Sequence, residues 1–508
     1  MKTLKKIMSL MLFAIVTVML TLTVNAAGNG TITVNGTTEG KTYEIYKIFD
    51  LTLSGSGASA KVAYTIDTDW TAFFATGGLG ESYITDTNSG NLSSIIVNGS
   101  VKYINVTETN VAEFAQAALE YASRNNIAAD DSKEGTRDGK LVFDGLDLGY
   151  YLVYPKGATE ILDGNASICS LTSTVPTAEV NVKAGYPTID KVADKTNVDV
   201  GEIVTFTVTG TVPNTKGYIK YRYVLKDTMS AGLLFNENLA NLKVVIDGNE
   251  IDPSRYSLTI ANNGFVLEFD MTKFQANVGK DVIVTYQAKV TEEAIKSTTT
   301  KNRLTLEYSN NPKNAEEMVP TPPIEVPVYS SKVTVKKIDA NNNETLLSGA
   351  KFVLTKNEGN KTLYYRAINK DGNFITSTDT TLVSVASNVE VVEWVEDIAN
   401  ATVLVTDANG NAVFNGMKNG TYYLVETEAP EGYNKLTEPV EIKVGYNENN
   451  QLVEAGVDHN VSVENNSGTQ LPTTGGMGTT LFVVLGSLLV MGTAIVLVTN
   501  KRMASEEI

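Results

Sequence analysis

One histidine, His459, and one cysteine, Cys169, are all that 508 residues provide, so any chemistry of this chain falls to amines, carboxylates, amides and hydroxyls. That count excludes a two-histidine metal site, a thiolate zinc cluster and an intrachain disulfide. Asp339-Ala340-Asn341-Asn342-Asn343 has the spacing of a calcium loop, but the glycine and closing glutamate of an EF-hand are missing and the stretch reads as a hairpin turn. No phosphate-cradling glycine loop and no nucleophile elbow stand in the sequence. No metal and no cofactor are expected. One reaction needs only the remaining groups. A lysine shut between two sheets tends to its neutral, nucleophilic form because burial disfavours charge, and a buried carboxylic acid keeps its proton and can polarise the carbonyl of an asparagine amide by hydrogen bonding. Attack of the amine on that amide expels ammonia and leaves a covalent cross-link.

The elements that would hold such groups are strands. Runs such as Val204-Thr205-Phe206-Thr207-Val208-Thr209 and Tyr422-Tyr423-Leu424-Val425 alternate with period two between Gly/Asn/Asp turns, the pattern of antiparallel sandwiches. Helical periodicity is confined to Val111–Ala122, with Phe114, Ala117, Ala118 and Tyr121 on one face, so the first domain is expected to carry a short helix. Boundaries fall at Gly185-Tyr186-Pro187 and in the proline-rich Val319–Pro327 stretch, where proline restricts the backbone and removes ladder donors. Three domains follow, at 27–184, 186–328 and 331–468. With 41 Lys+Arg against 58 Asp+Glu the net charge is −17, which argues against nucleic acid and anionic bilayers as partners.

The chain ends carry their own signals. Lys2, Lys5 and Lys6 precede an apolar run from Ile7 to Val24 and the small-residue site Val24-Asn25-Ala26, a secretory signal over 1–26; an uncleaved anchor helix is the alternative. At the other end Leu471-Pro472-Thr473-Thr474-Gly475 is followed by an apolar run from Leu481 to Val498 and by Lys501 and Arg502, the layout of a membrane-spanning helix with a cytoplasmic basic tail. This tripartite segment, 471–508, resembles the cell-wall sorting signal of Gram-positive surface proteins. The resemblance implies that a sortase cuts between Thr474 and Gly475 and passes the Thr474 carbonyl to an amine. An exported protein without disulfides must find its stability elsewhere, which directs attention to other covalent links.

Val333-Thr334-Val335-Lys336-Lys337-Ile338-Asp339, then Tyr422-Tyr423-Leu424-Val425-Glu426-Thr427-Glu428-Ala429-Pro430, then Val463-Glu464-Asn465 resembles the CnaB-type domain of Gram-positive pilins and adhesins. The resemblance implies an isopeptide bond between Lys337 and Asn465 promoted by Glu426. Lys336 is the fallback nucleophile, because neighbouring strand residues face opposite sides. Pro187-Thr188-Ile189-Asp190-Lys191, Leu225-Lys226-Asp227-Thr228-Met229 and Lys301-Asn302-Arg303-Leu304 look like the CnaA-like middle domain of backbone pilins, which implies a Lys191–Asn302 bond with Asp227 as the acid. In the first domain Tyr150-Tyr151-Leu152-Val153 resembles the strand leading to the glutamate, but Tyr154 stands in its place and no bond of this type is expected.

Backbone pilins carry a Val-X-Val-Tyr-Pro-Lys motif whose lysine accepts the next subunit. Here Val180-Asn181-Val182-Lys183 occupies the corresponding place with Tyr186-Pro187 following, whereas a literal Val153-Tyr154-Pro155-Lys156 occurs earlier. Lys183 is the expected acceptor and Lys156 the alternative. The whole pattern resembles a major pilin of sortase-assembled pili: an all-β chain of three tandem Ig-like (CnaA/CnaB-type) sandwiches, secreted, wall-anchored and structural rather than enzymatic. Its implied partners are a pilus-specific and a housekeeping sortase, further copies of itself, ancillary pilins, peptidoglycan and possible host matrix or cells. The rival reading is a wall-anchored adhesin or ancillary pilin.

Overall fold

Alternation of β-branched or aromatic with polar residues becomes strand pairing in the computed structural model. It describes residues 29–54, 61–88, 94–161, 168–172, 175–182, 184–235, 242–296 and 300–468, with four single positions beyond. Residues 1–26, read from the sequence as a secretory signal, the string Leu471–Gly475, most of the apolar run after it and Lys183 lie outside the described residues. Among the described residues no helix is long and apolar enough to cross a membrane. The chain is all-β apart from short helices and forms two compact units, 1–329 and 330–508.

The first unit contains two sets of sheets. The N-terminal set is built from β1 (Gly30–Asn35), β2 (Thr42–Ser54), β3 (Lys140–Leu146), β4 (Gly149–Pro155), β5 (Ile168–Leu171) and β6 (Thr177–Asn181). β1 lies between β3, antiparallel, and β6, parallel; β4 lies between β2 and β5. A helix, α1 (Val111–Arg124), covers this set and runs two residues past the expected end. Its buried stripe is Phe114, Ala115, Ala118 and Ala122, the i, i+4 repeat, while Tyr121 lies at the margin with its ring 5.6 Å from Trp70. Small alanines on that stripe let the helix approach the sheet, which is why Ala115 and Ala122 are buried more deeply than Tyr121.

The second set comprises β7 (Ile189–Ala193), β8 (Ile203–Thr211), β9 (Arg222–Met229), β10 (Gly264–Asp270), β11 (Asp281–Val290), β12 (Lys301–Ser309) and β13 (Ile324–Pro327). One sheet runs β7-β8-β11 and the other has β9 between β10 and β12, with β13 on the far side of β12. Phe206, Val208, Leu225, Phe265, Leu267, Val284, Tyr286, Leu304 and Leu306 fill the space between them. The second unit repeats the plan with β14 (Ser331–Asp339), β15 (Lys351–Glu358), β16 (Asn411–Met417), β17 (Gly420–Glu428), β18 (Val440–Val444) and β19 (Asp458–Asn465). β14 pairs with β16 antiparallel and with β19 parallel; β17 lies between β15 and β18 in the other sheet. The stretch with calcium-loop spacing turns the chain from Asp339 back to Asn342, a hairpin onto β14.

Candidate cross-linking sites

Alternation on β7 turns Lys191 inward, and on the facing sheet it turns Asp227 and Asn302 inward, so three polar side chains meet in an apolar core. Asp227 pairs with Leu304 and Met229 with Asn302, which puts the carboxylate and the amide on one face, diagonally across adjacent strands. Lys191 Nζ donates to Asp227 Oδ2 at 2.7 Å, and its ammonium lies 5.2 Å from the Phe206 ring centre and 5.7 Å from that of Tyr286. Burial lowers the lysine to about 8 against the opposing pull of Asp227, and it raises the Asp227 carboxyl against the pull of Lys191, Tyr286 and Asn302. The two groups are driven toward each other, which favours transfer of the proton from nitrogen to oxygen. Tyr286, on β11, was not singled out from the sequence. Its hydroxyl donates to Asp227 Oδ2 at 2.5 Å and accepts from Asn302 Nδ2 at 3.1 Å. Asp227 Oδ1 and Asn302 Oδ1 are buried and have no hydrogen-bond partner. The signal for Tyr286 is a hydroxyl-bearing residue on the apolar face Val282, Val284, Tyr286, Ala288, where nothing in the strand itself could bond it.

The second unit gathers Lys337, Glu426 and Asn465 in the same manner, all buried. On β14 the inward face reads Val333, Val335, Lys337, and Lys336 points to solvent. Lys337 pairs with Val463 and Asp339 with Asn465 in the parallel β14–β19 ladder, so the lysine and the amide are diagonal neighbours. Lys337 Nζ donates to Asn465 Oδ1 and, at 3.2 Å, to the Val463 carbonyl. Glu426 reaches across from β17: its two oxygens accept from Asn465 Nδ2 at 3.0 and 3.1 Å, and Leu436 N–H donates to Oε2 at 2.8 Å. Burial lowers Lys337 to about 8, with Glu426, 3.7 Å away, opposing. Glu426 therefore meets the amide nitrogen in this arrangement, where sequence reasoning had set it against the carbonyl. The carboxyl oxygens thus lie beside the nitrogen that a cross-linking reaction would expel.

In the N-terminal set Tyr154, one residue before the end of β4, follows Val153 as Glu426 follows Val425 in β17, and it is buried. Its hydroxyl lies 2.9 Å from that of Tyr218 and accepts from the Gly157 N–H, so the position serves packing between the two sets of sheets. Lys156, directly after β4, bonds to Glu317 at 2.6 Å and to Glu44 at 3.5 Å with only 14% of its side chain exposed. The backbone on either side of Lys183 is fixed: Val182 N–H bonds to the Asn35 carbonyl, and Ala184–Gly185 pairs with Glu160–Ile161.

Residues 331–459 match the prealbumin-like fold domain family SpaA, and residues 463–505 match the LPXTG cell wall anchor motif. The chain is 26% identical over 328 residues to the trypsin-resistant surface T6 protein of Streptococcus pyogenes serotype M6, a match covering 61% of this chain and 51% of that protein. It therefore spans about half the length of this relative. A 107-residue stretch is 35% identical to fimbrial subunit type 1 of Actinomyces viscosus, 20% of each chain. In three dimensions it is similar to the T6 backbone pilin of serotype M6 Streptococcus pyogenes, which has a modular three-domain structure. The TM-score is 0.50 at 18% identity, covering 82% of this chain and 80% of that one, a likeness of fold.

Proposed function

We propose that this chain, a relative of the backbone pilins of Gram-positive bacteria, is the structural subunit of a covalently joined, wall-anchored pilus, stapled internally by Lys191–Asn302 and Lys337–Asn465. The observation that carries this reading is the recurrence, in two separate sandwiches, of a buried lysine in hydrogen-bond contact with a buried carboxylate or asparagine that share its pocket. An unreacted buried ion pair is a poor stabiliser, since desolvating both charges offsets most of their attraction. Two such sets in one exported chain make sense as reactants. In each, the neutral amine attacks the asparagine carbonyl, the carboxyl moves a proton toward the departing nitrogen, and ammonia leaves. The bond forms once per molecule, without turnover.

Export over 1–26 and sortase cleavage between Thr474 and Gly475 supply the acyl donor, and Lys183 of the next copy supplies the amine. The pairing of Lys156 with two carboxylates supports Lys183 over Lys156, because an acceptor must be free to enter an acyl-enzyme. Intact mass of the secreted ectodomain tests the staples: two ammonia losses are expected, and none would remove the reading. A high-mass ladder on denaturing gels of wall extract tests polymerisation. Its absence in the presence of the cognate sortase would favour a monomeric adhesin.

A further inference from the structure

The middle-domain site holds an unbroken line of hydrogen bonds from the nucleophile to the leaving group, and it passes through a residue outside the lysine–acid–asparagine set. Lys191 Nζ touches Asp227 Oδ2 at 2.7 Å, the Tyr286 hydroxyl touches the same oxygen at 2.5 Å, and Asn302 Nδ2 touches that hydroxyl at 3.1 Å. The second unit has no such intermediary, for there Glu426 meets Asn465 Nδ2 itself. We propose that Tyr286 is a catalytic residue of the middle-domain reaction: its hydroxyl relays to the departing Nδ2 of Asn302 the proton that Asp227 takes from Lys191. The proposal rests on the Lys191–Asn302 cross-link being the function of this site.

The atoms balance as follows. Asp227 begins protonated, holding the proton taken from the Lys191 ammonium, and the neutral Nζ attacks Asn302 Cγ to form the new C–N bond. Asp227 Oδ2 gives that proton to the Tyr286 oxygen as the tyrosine gives its own to Nδ2, and the resulting carboxylate takes one proton from the new, positively charged Nζ. The Cγ–Nδ2 bond breaks, ammonia departs, and Asp227 and Tyr286 return to their starting forms. Tyrosine suits the task because its hydroxyl is both donor and acceptor. Its ring is fixed by stacking on Phe206 at 5.6 Å and by edge contact with Phe265 at 4.8 Å, so the oxygen is held ready between the two partners.

The test is Tyr286→Phe in the full chain, which keeps the ring among its aromatic neighbours and removes only the oxygen. Newly synthesised protein is sampled over time, and the Lys191–Asn302 and Lys337–Asn465 cross-linked peptides are measured by mass spectrometry in the same molecules. The expected result is middle-domain bond formation slowed by about a hundredfold or more, the usual contribution of a positioned proton donor, with the Lys337–Asn465 bond forming at its normal rate. Equal rates of Lys191–Asn302 formation in wild type and Tyr286→Phe would overturn the relay. Failure of the wild type to form this bond at all is a separate result, and it removes the cross-link itself. Should Tyr286→Phe misfold, 3-fluorotyrosine at position 286 preserves shape and hydroxyl while making the phenol more acidic. A changed rate supports the relay, and an unchanged rate overturns it.

Discussion

Replacing Glu426 by Gln keeps the shape of the side chain and its contact with Asn465 but leaves no carboxyl to carry a proton, so Lys337 and Asn465 should remain unlinked in a folded domain. The link closes a loop with a sequence separation of 128 residues. The loop-entropy relation used for disulfides then gives about 5 kcal/mol of lost denatured-state freedom at 25 °C. For a domain of this size that corresponds to roughly 15–20 °C in melting temperature. The folded-state loss from the substitution is small beside this, because Gln still offers an oxygen to Asn465 Nδ2 and to Leu436 N–H. The assay pairs intact mass with calorimetry on wild type, Glu426→Gln and Asn465→Ala. Expected are one fewer ammonia loss than in the wild type for each variant and a similar downward shift of the third-domain transition in both. A Lys337–Asn465 peptide at wild-type yield in Glu426→Gln would refute the role of the carboxyl. Unlinked variants that melt with the wild type would refute the entropy argument.

Asp227→Asn should retain ammonia in the middle domain only, leaving the Lys337–Asn465 peptide intact on mass spectrometry. In Asn465→Ala, Lys337 stays free and buried with its folded-state value lowered to about 8 by desolvation. The unfolded chain then binds more protons between about pH 8 and the ordinary lysine range near 10.4, and stability must rise with pH across that window. Urea midpoints measured at both ends should show this rise, and the double variant Lys337→Met/Asn465→Ala should lose it. Lys183→Arg should collapse the wall-extract ladder to monomer, whereas Lys156→Arg should leave it unchanged on the same gel.

Much of the architecture was written in short-range pattern. Period-two alternation implies the sandwiches, and the same alternation decides which of Lys336 and Lys337 faces the core, since only one can share a face with Val333 and Val335. The orientation of the Asn465 amide toward Glu426 depends on how two sheets meet, which no single strand reveals. Tyr286 was hidden for a similar reason: on β11 it looks like one more large residue on an apolar face, and only the approach of β9 and β12 makes its hydroxyl polar company. The capture of Lys156 by Glu44 and Glu317 joins residues far apart in the chain, beyond the reach of any local motif. The helix end at Arg124 exceeded its expected limit because helix termini are set by the last hydrogen-bonded turn, here closed by Asn125 N–H on the Tyr121 carbonyl.

The parallel pairing of β14 with β19 has a mechanical meaning. Tension applied to the two ends of this domain enters at Ser331 and leaves at Asn465, loading the two adjacent strands in shear, the direction in which all rungs of a ladder must yield together. With Lys337 and Asn465 joined, the load crosses from the first strand to the last through one amide, and the chain from 338 to 464 stays slack. The domain then transmits pull as an inextensible link, and its sheets can open or lose a loop without lengthening the path between its two ends.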